Sequence, residues 1–236
     1  MKIIAVIGTK NTGKTTLVTQ IVRELVERGF EVGTVKHSHH HFDMSDSDTG
    51  KHKKAGAAIV AGIGEETFFT MNEGMSWDNV LSTMNFIENL DIVVLEGFKT
   101  SRYAKISTSN INDEYTIANV KVKEMDDLKL KSIVDLLLER SYGMIKDLNC
   151  KKCGFDSCND FVKAKINGIH NATTCKAESD EVLLKIDNNV IPLNPFVRNF
   201  VKETILGMVK SLKTDEFGAN EFEKIELLIR DDHDKK

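Results

Sequence analysis

Several things are scarce in this chain of 236 residues. Proline occurs only twice, which argues against modules strung on proline-rich linkers. Apolar runs are short, as at Ile3–Ile7. A membrane helix needs about 20 such residues, so none is expected. The same run passes straight into Gly8, so no signal peptide is read and the expected location is the cytoplasm. No basic surplus exists: 32 Lys and Arg against 36 Asp and Glu leave a net charge of −4. Nucleic-acid binding is therefore not expected. Cysteine is absent from residues 1–149. What is present is ordinary for a globular chain, 41% hydrophobic and 29% charged, which excludes disordered and fibrous classes.

The patterning alternates. Ile3–Ile7 is apolar at successive positions, as in a strand covered on both faces. Leu17, Ile21 and Leu25, with Val18, Val22 and Val26, then make one helix face that closes at Gly29. Glu31–Lys36 reads as a second strand and His37–Lys54 as a polar loop. Ala55–Ala61 and Thr67–Met71 read as short strands or helix ends, and Trp77–Ile87 as a helix. Ile92–Leu95, Lys105–Ser107 and Ile117–Val122 read as strands, and Leu128–Leu138 as a helix. This predicts an α/β fold, a mainly parallel sheet flanked by helices, over residues 1–141. A cysteine unit is expected over 142–180. An α+β tail over 181–236 is expected to hold a hairpin near Asp187–Asn189, a helix with Val197, Val201, Ile205 and Met208 on one face, and a strand at Ile225–Ile229.

Between the first strand and first helix lies Gly8-Thr9-Lys10-Asn11-Thr12-Gly13-Lys14-Thr15, followed by Thr16. It fits G-x-x-x-x-G-K-[ST], flanked as that motif requires. Glycines let the backbone wrap phosphate oxygens, and its N–H groups and the helix N-terminus supply partial positive charge. Lys14 can reach the β- and γ-phosphates and Thr15 can ligate Mg²⁺. These residues define a P-loop nucleotide site. Glu96, at the carboxyl end of its strand, is the second candidate for Mg²⁺, whereas Asp91 starts that strand at the opposite edge. No Asn-Lys-x-Asp element names the base as guanine.

His37, His39, His40 and His41 follow the second strand, with Asp43, Asp46 and Asp48 beyond. Metal ligation, a pH-sensitive anion contact and a solvated polar loop are all compatible with this run. Taken together, GTKNTGKTT at Gly8–Thr16, VKHSHHHFD at Val35–Asp43, KAGA at Lys54–Ala57 and LEGFK at Leu95–Lys99 resemble the MobB family. That family consists of GTP-binding proteins of molybdopterin guanine dinucleotide biosynthesis, and the resemblance covers roughly residues 1–140. It implies a P-loop fold, GTP and Mg²⁺, slow GTP hydrolysis and a homodimer. The implied partners are a MobA-like guanylyltransferase and molybdo- or tungsto-enzymes. Carried onto this sequence, Gly13, Lys14 and Thr15 hold phosphate and Mg²⁺, and Glu96 is the acidic element with Lys99 nearby. His37, His39 and His40 line the site, with Asp48 and His52 beyond.

All four cysteines, Cys150, Cys153, Cys158 and Cys175, fall in one short stretch. A disulfide scaffold spreads its cysteines through a small secreted domain, so this cluster reads as a metal site. Three close thiolates and a fourth returned by a helix can hold a [4Fe–4S] cluster or structural Zn²⁺. Cys153-Gly154, Phe161, Ala164, Gly168 and Cys175 resemble the four-cysteine [4Fe–4S] domain of corrinoid iron–sulfur proteins and of the Rnf complex B subunit. The combined expectation is a GTP-binding accessory protein with weak hydrolysis and a cluster for electron transfer or docking. The alternatives are a nucleotide-switched docking factor and an ATP-driven factor that inserts metal or cofactor.

Overall fold

The computed structural model describes residues 1–38, 47–71, 74–169, 173–177, 182–187, 189–213 and 222–229. They form two compact units, Met1–Asn194 and Pro195–Lys236. In the first unit, β1 (Lys2–Ile7), β2 (Val32–Lys36), β3 (Ile59–Ile63), β4 (Thr67–Met71), β5 (Ile92–Glu96), β6 (Ala104–Ser107) and β7 (Thr116–Asn119) alternate with helices. These are α1 (Lys14–Glu27), α2 (Asp48–Lys54), α3 (Trp77–Ile87) and α4 (Asp127–Arg140). There follow α5 (Cys158–Ile166) and the hairpin β8 (Leu184–Ile186) and β9 (Asn189–Ile191).

The central sheet has strand order β2-β5-β1-β6-β7, and every pairing is parallel. A parallel strand in the middle of a sheet is buried on both faces, and β1 alternates accordingly. Ile4 and Val6 face one core, with Leu17, Ile21 and Leu25 of α1 and Val134 and Leu137 of α4. Ile3 and Ala5 face the other, with Leu81 of α3, Tyr103, Tyr142 and Phe161 of α5. Each such aliphatic side chain contributes about 1.5–3 kcal/mol when fully buried. The cysteine-bearing helix thus shares a core with the sheet. Its segment enters by an antiparallel bridge between Ile3 and Tyr142, with Ile3 N–H donating to the Tyr142 carbonyl at 2.9 Å.

Three readings need correction. The loop expected over His37–Lys54 contains α2. Its seven residues are almost all polar, so no apolar period betrays it. It is carried by its N-cap, where Ser47 Oγ accepts from Gly50 N–H at 3.1 Å, and by Lys51, His52, Lys53 and Lys54 in its last turn. The Ile117–Val122 strand ends at Asn119 and gives way to a 3₁₀ turn at Val122–Glu124. The apolar stretch Ile225–Ile229 is not a strand. It pairs with no strand among the described residues, and Leu227, Leu228 and Ile229 are exposed. The two segments left open between strand and helix, near Ala55–Ala61 and at Thr67–Met71, resolve as an antiparallel pair, β3 with β4.

The second unit contains α6 (Pro195–Lys210), the helix expected from its apolar spacing.

Candidate nucleotide site and cysteine recess

The P-loop leaves β1 at its carboxyl edge and enters α1 through Gly13, whose φ of +87° is left-handed. A Cβ built there would lie 3.0 Å from Val122 Cβ. Conformation and packing thus both require glycine. We expect Gly13→Ala to destabilise the fold by more than the usual ~1 kcal/mol of a strained Gly-to-Ala change. Urea unfolding checks this, and an unchanged midpoint would show that the loop is not held in this form. The rest of the loop is tied down from across the sheet. Thr9 N–H donates to Ser109 Oγ at 2.9 Å, and the Thr12 and Thr108 hydroxyls lie 2.6 Å apart. Lys10 and Asn11 are exposed at its tip.

Lys14 Nζ donates to the Thr9 carbonyl at 2.5 Å, folding the side chain back over the loop. Thr15 Oγ1 donates to Glu96 Oε1 at 2.9 Å. The same carboxylate oxygen receives Lys36 Nζ at 3.3 Å. Strand register explains the meeting, since Glu96 is level with Val6 of β1 and Lys36 of β2. The Glu96 side chain is largely buried. A buried carboxylate needs such partners. The structure thus brings Thr15 and Glu96 together, while Thr16 is exposed on the first turn of α1. Asp91 lies at the far edge, where Oδ2 accepts the Glu31 N–H at 2.9 Å.

His37 sits at the same edge as the P-loop. Its N–H donates to the Glu96 carbonyl at 3.0 Å and its ring meets Phe98 edge-on, centroids 5.4 Å apart. His39 and His40 lie outside the described residues. His52 is on the exposed face of α2, and Asp48 pairs with Lys51 at 2.8 Å. The Lys99 side chain is exposed, while its carbonyl accepts Lys105 Nζ at 2.7 Å.

Lys105 was not singled out from the sequence. It is fully buried in β6 and forms a short ion pair with Asp113. Burial pushes the Asp113 carboxyl up. Lys105, the Tyr115 N–H and the Thr116 hydroxyl outweigh this and hold it below the ordinary 3.8. A depressed carboxyl stabilises the fold above its unfolded value, and that contribution is lost as pH falls through the folded one. Wild-type protein should therefore lose stability below about pH 3.8. Asp113→Asn should be less stable at neutral pH and show a flatter acid limb in urea melts. Identical acid limbs would contradict this role.

None of the four cysteines is in a disulfide, and all four line one recess, with Phe155 as an apolar wall and Lys146 at its side. Left-handed backbone at Asn149, Lys151 and Gly154 turns the chain around it. Asn149 Oδ1 accepts the Cys158 N–H at 2.9 Å and Ser157 caps α5. Among the described residues, no three His, Cys, Asp or Glu side chains converge on a single-ion site. The thiols ring the recess instead. An all-sulfur donor set, with no carboxylate lining the recess among the described residues, suits soft metals and iron–sulfur clusters.

A parallel sheet with a glycine-bounded phosphate loop at its carboxyl edge defines a P-loop nucleotide-binding protein. The model of the family "MobB: Molybdopterin guanine dinucleotide synthesis protein B" matches residues 3–130. The chain is 30% identical to a Methanocaldococcus jannaschii protein named "Putative molybdopterin-guanine dinucleotide biosynthesis adapter protein". That alignment covers 90% of this chain and 92% of the relative. The chain therefore belongs to the MobB family. A second family model, "Putative Fe-S cluster", matches residues 147–177, so an Fe–S family domain follows the MobB domain. An Escherichia coli adapter protein is 33% identical over 40% of this chain and 58% of its own length. The chain thus spans under two thirds of that relative. Among solved structures, Bacillus subtilis MobB aligns at 24% identity over 61% of this chain and 100% of that one, TM-score 0.46. No helix among the described residues is long and apolar enough to cross a membrane.

Proposed function

We propose that this protein is a GTP-binding accessory factor for attaching the guanine nucleotide to molybdopterin, in a molybdenum or tungsten cofactor. The observation that carries the nucleotide half is the meeting of Thr15 and Glu96 beside Lys14 at the loop. In this reading the amides of Gly8–Thr16 bind the phosphates and Lys14 leaves the Thr9 carbonyl for the β- and γ-oxygens. Thr15 and Glu96 hold Mg²⁺, Lys36 balances the Glu96 charge, and His37 and Lys99 border the site, with His39 and His40 further along the same segment. Hydrolysis is slow: preorganised positive charge stabilises the developing negative charge, but among the described residues none is placed as a base for water. Guanine as the base rests on family membership.

The cysteine unit, residues 142–180 in this reading, holds a [4Fe–4S] cluster through Cys150, Cys153, Cys158 and Cys175. The first turn of α5, where Cys158 lies, favours the negative charge of a thiolate-bound cluster. When bound, the cluster supplies one-electron chemistry or a rigid docking point. Partners are a MobA-like guanylyltransferase and the molybdo- or tungsto-enzymes that receive the cofactor, and the protein works as a homodimer. One face of the β3–β4 hairpin, where Ile59, Ile63, Phe69 and Met71 are exposed among the described residues, supports self-association.

One observation favours a second reading, a nucleotide-switched docking or insertion factor. The P-loop leaves the carboxyl end of β1, whereas the cysteine segment joins the sheet beside Ile3 near its amino end. Six residues of strand span about 20 Å. In this second reading nucleotide and cluster act through the sheet and not on each other. Measuring GTP binding by this protein, and guanylyl transfer by a purified MobA-like enzyme with this protein present and absent, tests the main reading. Stimulated guanylyl transfer supports it, and no effect on transfer with intact GTP binding supports the second.

A further inference from the structure

A second cavity, of about 390 Å³, opens on the amino side of the sheet. It falls in the size range of small-molecule sites. Its wall comes from three places far apart in sequence: the first turn of α3, the Arg102–Tyr103 approach to β6, and Ile145–Asp147 leading into the cysteine unit. Asn189 and Pro192 of the tail also line it. None of these residues belongs to the P-loop site.

The lining has a definite chemistry. Trp77 and Tyr103 give aromatic surface, their rings edge-on with centroids 5.6 Å apart. Asp78 adds a carboxylate to the lining. Arg102 forks onto Asp147 with two bonds, at 2.8 and 2.7 Å, and donates to the Ile145 carbonyl at 2.7 Å. This pins the wall rather than leaving Arg102 loose. Lys146 lines this cavity and the cysteine recess alike.

The two are also joined by a file of rings. Phe155, on the recess, lies 5.8 Å from Phe161, which lies 6.2 Å from Tyr142. Tyr142 lies 5.7 Å from Tyr103, which meets Trp77 in the cavity. A planar ligand on Trp77 would thus rest at the end of a packed aromatic path from the thiols.

We propose that this cavity is a second binding site, for a planar fused heterocycle with a 2-amino-4-oxo-pyrimidine edge and a phosphate. The Asp78 carboxylate accepts from adjacent ring N–H and amino groups in two parallel bonds, which are charge-assisted and therefore strong. Trp77 supplies the ring contact and Lys146 the charge for the phosphate. Both a pterin phosphate and a guanine nucleotide carry this edge. The site stands on its own geometry and does not depend on the P-loop reading.

The chain's only tryptophan lies in the site and reports on it directly. The full-length Lys14→Ala protein, its P-loop weakened, is titrated with neopterin monophosphate, GMP, AMP and inorganic phosphate while Trp77 fluorescence is followed. Saturable change with neopterin phosphate or GMP, and at least tenfold weaker response to AMP and phosphate, is expected. The tighter of the first two names the source. Asp78→Asn should weaken that ligand at least tenfold with an unchanged circular dichroism spectrum. No saturable change, equal response to AMP, or undiminished binding by Asp78→Asn would overturn the proposal.

Discussion

Lys14→Ala is expected to weaken GTP binding about a hundredfold, as measured by equilibrium titration with Mg²⁺ present. The ammonium is the motif's point charge for the β- and γ-oxygens. A hydrogen bond involving a charged group is worth about 1.5–3 kcal/mol, and the upper end corresponds to about a hundredfold. In the structure that ammonium is satisfied by the Thr9 carbonyl at 2.5 Å, a bond that phosphate must replace. The mutant loses the phosphate contact and leaves the Thr9 carbonyl to water, at little cost to folding because the loop is exposed there. Affinity within threefold of wild type would mean that the loop does not bind a triphosphate in this way.

Cys158→Ser should remove most iron and acid-labile sulfide while leaving GTP affinity within twofold. Cys158 opens α5, its N–H is held by Asn149, and its neighbour Phe161 is anchored in the core. The backbone that carries its sulfur is therefore firmly held. Serine keeps the backbone bond and removes only the soft ligand. The P-loop should not respond, because it leaves the other end of β1. Full iron content in the mutant would remove Cys158 from the ligand set. A parallel loss of GTP affinity would show the two sites to be coupled.

What the sequence made legible was local. The P-loop is one contiguous run between an apolar strand and an apolar helix stripe, and strand polarity alone put Glu96 at its edge. The cysteines announced themselves by spacing. Contacts between distant segments were not legible. Nothing at Thr108, Ser109 or Val122 says that they brace a loop about a hundred residues earlier. Lys36 gave no sign of pairing with Glu96, nor Lys105 of being buried on Asp113. Ring packing from Phe155 to Trp77 draws on four segments that only the fold assembles. Helix α2 escaped notice because a capped polar helix has no apolar period. Ile225–Ile229 misled because strand composition without a partner makes no strand.

The most direct test of the account is a titration of anaerobically purified full-length protein with GTP and with ATP, each with and without Mg²⁺. Saturation at one GTP per chain is expected, tightened by Mg²⁺ and at least tenfold stronger than ATP. ATP binding as tightly as GTP, or no dependence on Mg²⁺, would contradict it.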